Sequence, residues 1–474
     1  MKRPFRPVRT STTFRTAAAT VAGIIVAAGV TAGTAIAELP NDSGCPGLIA
    51  LGVQGTGESA PDADVRTDSG FLGDNVMRPL MVRAGGKADR LYVAYPAGFG
   101  GATAGSAEPY SASVSTGLQN LRDMASEQLR RCPGSYLAIV GFSQGSHIAS
   151  MFAQEIGRGG SAVSADRIAA VALFADPTRN PDSSLFPGAP GKSAPDPAPG
   201  TSGNAVQALA PLSQPEASGG GIGPQRDIAS NFGSLTGRVA SWCATGDLAC
   251  DAPSGAPILR VVTNLVGQSD LSDPLKALQS VSEALAFTAF KTSVTVVNED
   301  VSGTSLASLS LNPQKSLSER VAEASDPRTT VDADAGVQAL FKVATIGLNA
   351  VTTLAQTLLT PSNIAELVSV GLANPGAAIA LFGQKLAAAI PEVIPPATTS
   401  RLVQQAFDAI EQNVTDNQEL LDLATWTKFS DTIARHVSYQ TAPTSSGTTA
   451  TAATVDWLTA VADDIAAANG GGAR

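Results

Sequence analysis

Short apolar runs punctuate the first part of the chain at Leu48–Val53, Leu91–Tyr95, Tyr136–Val140 and Ala169–Phe174, with helix-length segments such as Val114–Arg131 between them. Strands alternating with helices predict a parallel sheet covered by helices on both faces, with ligands bound beyond the carboxyl ends of the strands. Between Asn180 and Pro224 the pattern dissolves into Pro, Gly, Ser and Ala, including Pro187-Gly188-Ala189-Pro190 and Gly219-Gly220-Gly221. That composition predicts a flexible surface loop rather than packed structure.

From about Pro253 to Ser430 the period changes. Leu340, Phe341, Ala344, Leu348, Val351, Ala355 and Leu358 follow helical spacing, and Thr360-Pro361 and Asn374-Pro375 read as N-cap and first-turn proline starts. Glu366 is the only charged residue from Val343 to Gln384. Helices apolar all round usually bury one another or dock on a neighbouring domain. The competing expectation is a lid or platform that touches lipid or acyl chains. The resulting division is a leader over residues 1–37, the first part of an α/β core over 38–252, a helical insertion over 253–430 and the closing part of the core over 431–474.

Charge and compartment narrow the function. The formal charge of −10 excludes nucleic acid as a partner, because phosphate contacts need clustered Lys and Arg. The one basic region is the leader, where Lys2, Arg3, Arg6, Arg9 and Arg15 precede the uncharged stretch Thr16–Ala37, ending in Ala35-Ile36-Ala37. This predicts a secretory signal cleaved after Ala37, with an uncleaved anchor as the alternative. Either device exports the remainder, so an extracytoplasmic location is expected. In an oxidising compartment Cys45, Cys132, Cys243 and Cys250 are expected to pair. Three pairings are open, and the near neighbours Cys243 and Cys250 suit a small loop. No cysteine pair has zinc-ligand spacing and the chain has 2 histidines, so neither a metal nor another cofactor is expected.

The chemistry sits in Gly141-Phe142-Ser143-Gln144-Gly145, which follows the run Tyr136–Val140 and precedes a helical segment. That is the context of a nucleophile elbow, with glycines allowing the sharp turn and backbone N–H groups near the serine. A serine nucleophile needs a base and an acid that orients it. His147 lies one helical turn after Ser143 and would pack beside its helix, whereas His436 comes late, in the order Ser, Asp, His that such hydrolases follow. For the acid, Asp247 lies in the loop Cys243–Cys250 and Asp176 follows the strand run ending at Phe174; Asp247 is only slightly favoured.

Taken together, the GFSQG at Ser143, a cysteine eleven residues before it, the Cys243–Cys250 spacing around Gly246-Asp247, and His436 followed three residues later by Tyr439 resemble the cutinase family, specifically the cutinase-like serine esterases of the actinobacterial cell envelope. The resemblance implies an α/β-hydrolase fold, disulfides Cys45–Cys132 and Cys243–Cys250, and a triad of Ser143, Asp247 and His436. It also implies an oxyanion site at Thr56, within Gln54-Gly55-Thr56-Gly57-Glu58, together with the backbone N–H of Gln144. It covers about Cys45 to Cys250 and His436 to the last helix, not the middle. Compact members of the family keep acid and base close in sequence, so substrate size and site access do not carry over. The expected function is hydrolysis of lipid or polyester acyl esters through an acyl-enzyme. The alternatives are acyl transfer by the same triad, or a non-catalytic envelope protein that binds lipid or a partner through the insertion, with membrane-surface contact there.

Overall fold

The computed structural model describes residues 44–345 apart from 104, 255 and 304–308, scattered positions between 362 and 385, residues 396–421, and residues 428–471 apart from 430 and 445. The chain divides into Met1–Gly44 and Cys45–Arg474; of the first unit only Gly44 is described. The leader and its cleavage site, the apolar positions from Leu348 to Leu358, and the helix starts at Thr360-Pro361 and Asn374-Pro375 lie outside the described residues.

Five strands, β1 (Leu48–Val53), β2 (Ala88–Tyr92), β3 (Tyr136–Phe142), β4 (Ile168–Phe174) and β5 (Val239–Trp242), form one sheet. All neighbours run parallel in the order β2-β1-β3-β4-β5. Every residue of β1, β4 and β5 is buried, as continuous apolar runs must be when both faces are covered. The helices that cover or extend the sheet are α1 (Arg78–Ala84), α2 (Tyr110–Arg131), α3 (Gln144–Gly157), α4 (Pro257–Gly267), α5 (Pro274–Thr295), α6 (Leu317–Ser325), α7 (Ala333–Thr345), α8 (Pro396–Asp416), α9 (Thr432–His436) and α10 (Ala450–Gly471).

One face of the sheet packs on α1 and α10, where Leu80, Trp457, Val461 and Ile465 share a core with Leu48, Ala50, Ala138 and Val140. The other face carries α2 and α3, which also pack on each other and bury Leu121, Ile148 and Phe152. The expected parallel sheet with helices on both faces is therefore present. β5 went unread in the sequence because it is short and carries a buried serine, Ser241.

The segment from Asn180 to Pro224 corrects the expectation of a flexible loop. Leu185, Phe186, Val206 and Leu212 are buried in the core that contains Trp457. Arg179, itself buried, donates to the carbonyls of Ser183, Ala217 and Gly219, and Asp464 accepts from the N–H groups of Ala205 (2.8 Å) and Val206 (3.0 Å). Pro- and Gly-rich composition signals the lack of a repeating ladder. It does not signal the lack of packing when side chains satisfy the backbone instead.

The insertion begins with α4. Asp273 caps α5 and a Ser316–Glu319 capping box starts α6. A short antiparallel pair, Val301–Ser302 with Ser310–Leu311, interrupts the otherwise helical pattern. Arg320 is buried with Asp300, to which it donates at 2.7 Å. Of the predicted apolar stripe, Leu340 and Phe341 are exposed on α7. Among the described residues, no helix is long and apolar enough to cross a membrane.

Candidate active site

β3 ends at Phe142 and α3 begins at Gln144, so the whole turn falls on Ser143, whose φ is 54° and ψ −121°. A positive φ at a non-glycine residue is strained and persists only where its surroundings enforce it. Here they do. A Cβ on Gly145 would lie 2.0 Å from the carbonyl oxygen of Val53, and one on Gly141 would lie 2.7 Å from Ser146 Cα, so neither motif glycine can carry a side chain. The Ser143 N–H donates to the Phe174 carbonyl at 2.9 Å, and the Ser146 hydroxyl donates to the same carbonyl at 2.7 Å. β4 thus anchors the turn at two points.

His436, at the end of α9, reaches back to the turn. Its Nε2 lies 2.9 Å from Ser143 Oγ and its Nδ1 lies 2.9 Å from Asp247 Oδ1. An ionised carboxylate only accepts, so the proton belongs on Nδ1 and Nε2 is free to accept from the serine. Asp247 is fully buried. Its Oδ1 also accepts the Ala249 N–H at 3.0 Å and its Oδ2 accepts the Tyr439 hydroxyl at 2.6 Å. Burial, then the charge of Asp247, pushes the Tyr439 phenol well above its ordinary range, so the hydroxyl stays a donor.

Both predicted disulfides are formed, Cys45–Cys132 and Cys243–Cys250. The second closes the loop that carries Asp247. A further carboxylate, Asp251, accepts the N–H groups of Gly219 and Gly246, each at 2.7 Å, and pairs with Lys428 at 2.6 Å. The sequence reading singled out neither Asp251 nor the contact Tyr439 makes with Asp247, although Tyr439 stood within the motif.

Thr56 lines the same cavity as Ser143 and is half-buried. Its loop is held by Glu58, which accepts from Gly55 N at 3.0 Å and Phe71 N at 2.9 Å. The Gln144 side chain points away into the core, donating to the Gly98 carbonyl and accepting from Ser113 Oγ, each at 2.9 Å. Its backbone N–H belongs to the first turn of α3, where amides have no intrahelical acceptor.

The rejected candidates have other partners. His147 Nε2 lies 3.0 Å from Asp227 Oδ2 and its Nδ1 lies 3.0 Å from the Tyr110 hydroxyl. Asp176 accepts from the N–H and hydroxyl of Thr178, and burial pushes its carboxyl up to about 6. Burial acts in the same direction on Asp227, yet hydrogen bonds from His147 and Arg328 prevail and hold it at about 2. Ser143, His436, His147 and Asp227 border a cavity of about 480 Å³ whose remaining lining is largely apolar, with Phe99, Val114, Met151 and Ile222 prominent. Among the described residues, no group of three or more His, Cys, Asp and Glu could hold a metal ion.

The model of the family described as Cutinase matches residues 44–259, which upholds the resemblance over that stretch. The chain is 31% identical over 215 residues to the Carboxylesterase Culp6 homolog of Corynebacterium glutamicum, covering 44% of this chain and 66% of that relative. The chain thus spans slightly less than two thirds of the relative's length. Among solved structures, a cutinase-like protein from Cryptococcus sp. is 16% identical, covering 44% of this chain and 81% of that one with a TM-score of 0.28. The catalytic core domain of acetyl xylan esterase from Trichoderma reesei is 17% identical, covering 51% and 99% with a TM-score of 0.29. At those scores the fold rests on the sheet and turn described above, not on the superpositions.

Proposed function

We propose, for a chain whose residues 44–259 match the cutinase family, that it is an exported serine carboxylic-ester hydrolase. His436 takes the proton of Ser143 as Oγ attacks the ester carbonyl. Asp247 holds the imidazole in the required tautomer and stabilises the imidazolium that forms. The N–H of Gln144 and the hydroxyl or N–H of Thr56 receive the oxyanion. The alcohol leaves with the proton from His436, and water attacks the acyl-enzyme by the reverse route. The observation that carries this reading is the unbroken chain Ser143–His436–Asp247, with both contacts at 2.9 Å. It also weighs against a purely binding role, which gains nothing from keeping all three groups in contact.

The apolar lining favours acyl esters of lipids or polyesters over small polar esters. Leu275, Leu278, Phe287 and Phe290 are exposed on α5, and exposed apolar surface of this kind supports contact with a lipid surface. An alcohol that outcompetes water would turn the same acyl-enzyme to acyl transfer. The test is labelling by a fluorophosphonate, alongside hydrolysis of nitrophenyl esters of increasing chain length with and without detergent micelles. Wild type is expected to label and hydrolyse, and Ser143→Ala to lose labelling and about 10⁶-fold in kcat. A wild type that neither labels nor hydrolyses under any of these conditions returns the chain to the binding class.

A further inference from the structure

We infer that the helical insertion builds one wall of the substrate cavity and that Gly267, on that wall, sets how bulky an ester can reach Ser143. This rests on the hydrolase reading and adds to it the determinant of substrate size. Thr263, Asn264 and Gly267 of α4, with Asp326 to Arg328 after α6, face the cavity that Ser143 and His436 border.

The wall is fixed to the core rather than laid over it. Arg328 spans the boundary, its Nη1 donating to Asp227 Oδ1 at 3.0 Å and its Nη2 to Asp227 Oδ2 at 2.7 Å. Such fork-to-fork pairs fix geometry as well as supplying energy. Thr263 donates to the Ile222 carbonyl at 3.1 Å. α4 is tied to α6 through Asn264, which donates to Ser325 Oγ at 2.9 Å, and through Gln268, which donates to the Ser325 carbonyl at 2.9 Å.

Gly267 closes α4 without a left-handed φ, so its backbone does not require glycine. Nor does crowding. A Cβ there would meet only Tyr110, at 3.6 Å from its Cβ and 3.8 Å from Cδ1, which is ordinary contact. Tyr110 cannot swing aside freely, because its hydroxyl is bound to His147 and its ring packs edge-on against Phe99 at 5.5 Å. Gly267 and Tyr110 both border the cavity, so a larger residue at 267 would extend beside Tyr110 into room that substrate uses.

The experiment compares kcat/KM for nitrophenyl acetate and nitrophenyl octanoate in wild type, Gly267→Ala and Gly267→Leu. The leucine variant is expected to shift the acetate-to-octanoate ratio of kcat/KM toward acetate by roughly 20-fold or more, since pocket discrimination of this kind spans about 10–200-fold. An unchanged acetate-to-octanoate ratio in a folded leucine variant overturns the inference. If that variant fails to fold, Gly267→Ala decides: a shift of at least about twofold toward acetate supports it and an unchanged ratio overturns it. A wild type inactive on both esters and unlabelled by fluorophosphonate sinks the hydrolase reading instead, so the two failures are distinct.

Discussion

Tyr439→Phe isolates the hydroxyl that grips the far oxygen of Asp247. The ring would stay, because it is buried edge-on against Phe174 at 5.8 Å and against Phe71 at 6.4 Å. Two hydrogen bonds would go: the 2.6 Å donation to Asp247 Oδ2 and the 3.1 Å acceptance from the Ala244 N–H. A bond to a charged group is worth about 1.5–3 kcal/mol and an orphaned buried amide costs about 1–3 kcal/mol, so a loss of roughly 3–5 kcal/mol in unfolding free energy is expected. Asp247 keeps the Ala249 N–H and His436, so the carboxylate is loosened, not removed. The loss in kcat is therefore placed at about 10–100-fold, well short of the roughly 10⁴-fold that follows loss of the orienting acid. KM should change less than about twofold, because Tyr439 does not border the cavity. Urea unfolding and steady-state kinetics on a soluble nitrophenyl ester read the two effects separately. An unchanged kcat in a destabilised variant would refute the reasoning, leaving Tyr439 as a strut of the loop with no part in aiming the carboxylate.

Asp176, whose folded carboxyl is pushed up to about 6 from 3.8, should make stability fall as pH rises. The folded state holds a proton that the unfolded chain releases, so the penalty grows between about pH 4 and pH 6 and reaches roughly 3 kcal/mol above that window. Asp176→Asn should gain over wild type across that window and level off above it, as read by urea midpoints at a series of pH values; a difference independent of pH would contradict this. The two disulfides should separate by function. The Cys45–Cys132 bridge spans 87 residues and the Cys243–Cys250 bridge spans 7, which gives about 4.6 and 2.5 kcal/mol by chain entropy. Replacing the first pair by serine should mainly lower the melting temperature, and replacing the second should mainly lower kcat because Asp247 rides on that loop; equal effects of both on kcat would count against the assignment.

Local chemistry made the elbow and most strands legible. Gly141 and Gly145 are the only residue type that fits there, and β3 and β4 read as continuous apolar runs because both faces are covered. Scarcity singled out His436, since the chain has 2 histidines and His147 sits on the wrong part of its own helix. What stayed hidden depends on distance along the chain. Asp227 meets His147 across 80 residues and Arg328 across 101, and no periodicity reports such a meeting. The misreading of residues 180–224 has a related cause. A buried Arg179 that feeds carbonyls leaves no pattern in the segment it holds together.

The separation of 189 positions from Asp247 to His436 raises the question of how base and acid stay aligned. The insertion leaves and re-enters the core at one place: Leu248 N donates to Thr432 Oγ1 at 2.8 Å, Ala244 N to the Tyr439 hydroxyl at 3.1 Å, and Lys428 pairs with Asp251 at 2.6 Å. Lengthening a closed loop tenfold costs roughly 2 kcal/mol, which two or three such contacts offset. A second attachment, Arg328 on Asp227, pins the insertion about midway along its length. A cover hinged at its base would have to break that pair and leave Asp227, which is 6% exposed, with His147 as its remaining charged-group partner. Losing hydrogen bonds to a charged group of this kind, with the arginine 36% exposed, costs about 1.5–3 kcal/mol, which confines the open form to roughly 10% or less of molecules. A wall with fixed size selectivity follows from those energies more directly than a swinging lid does.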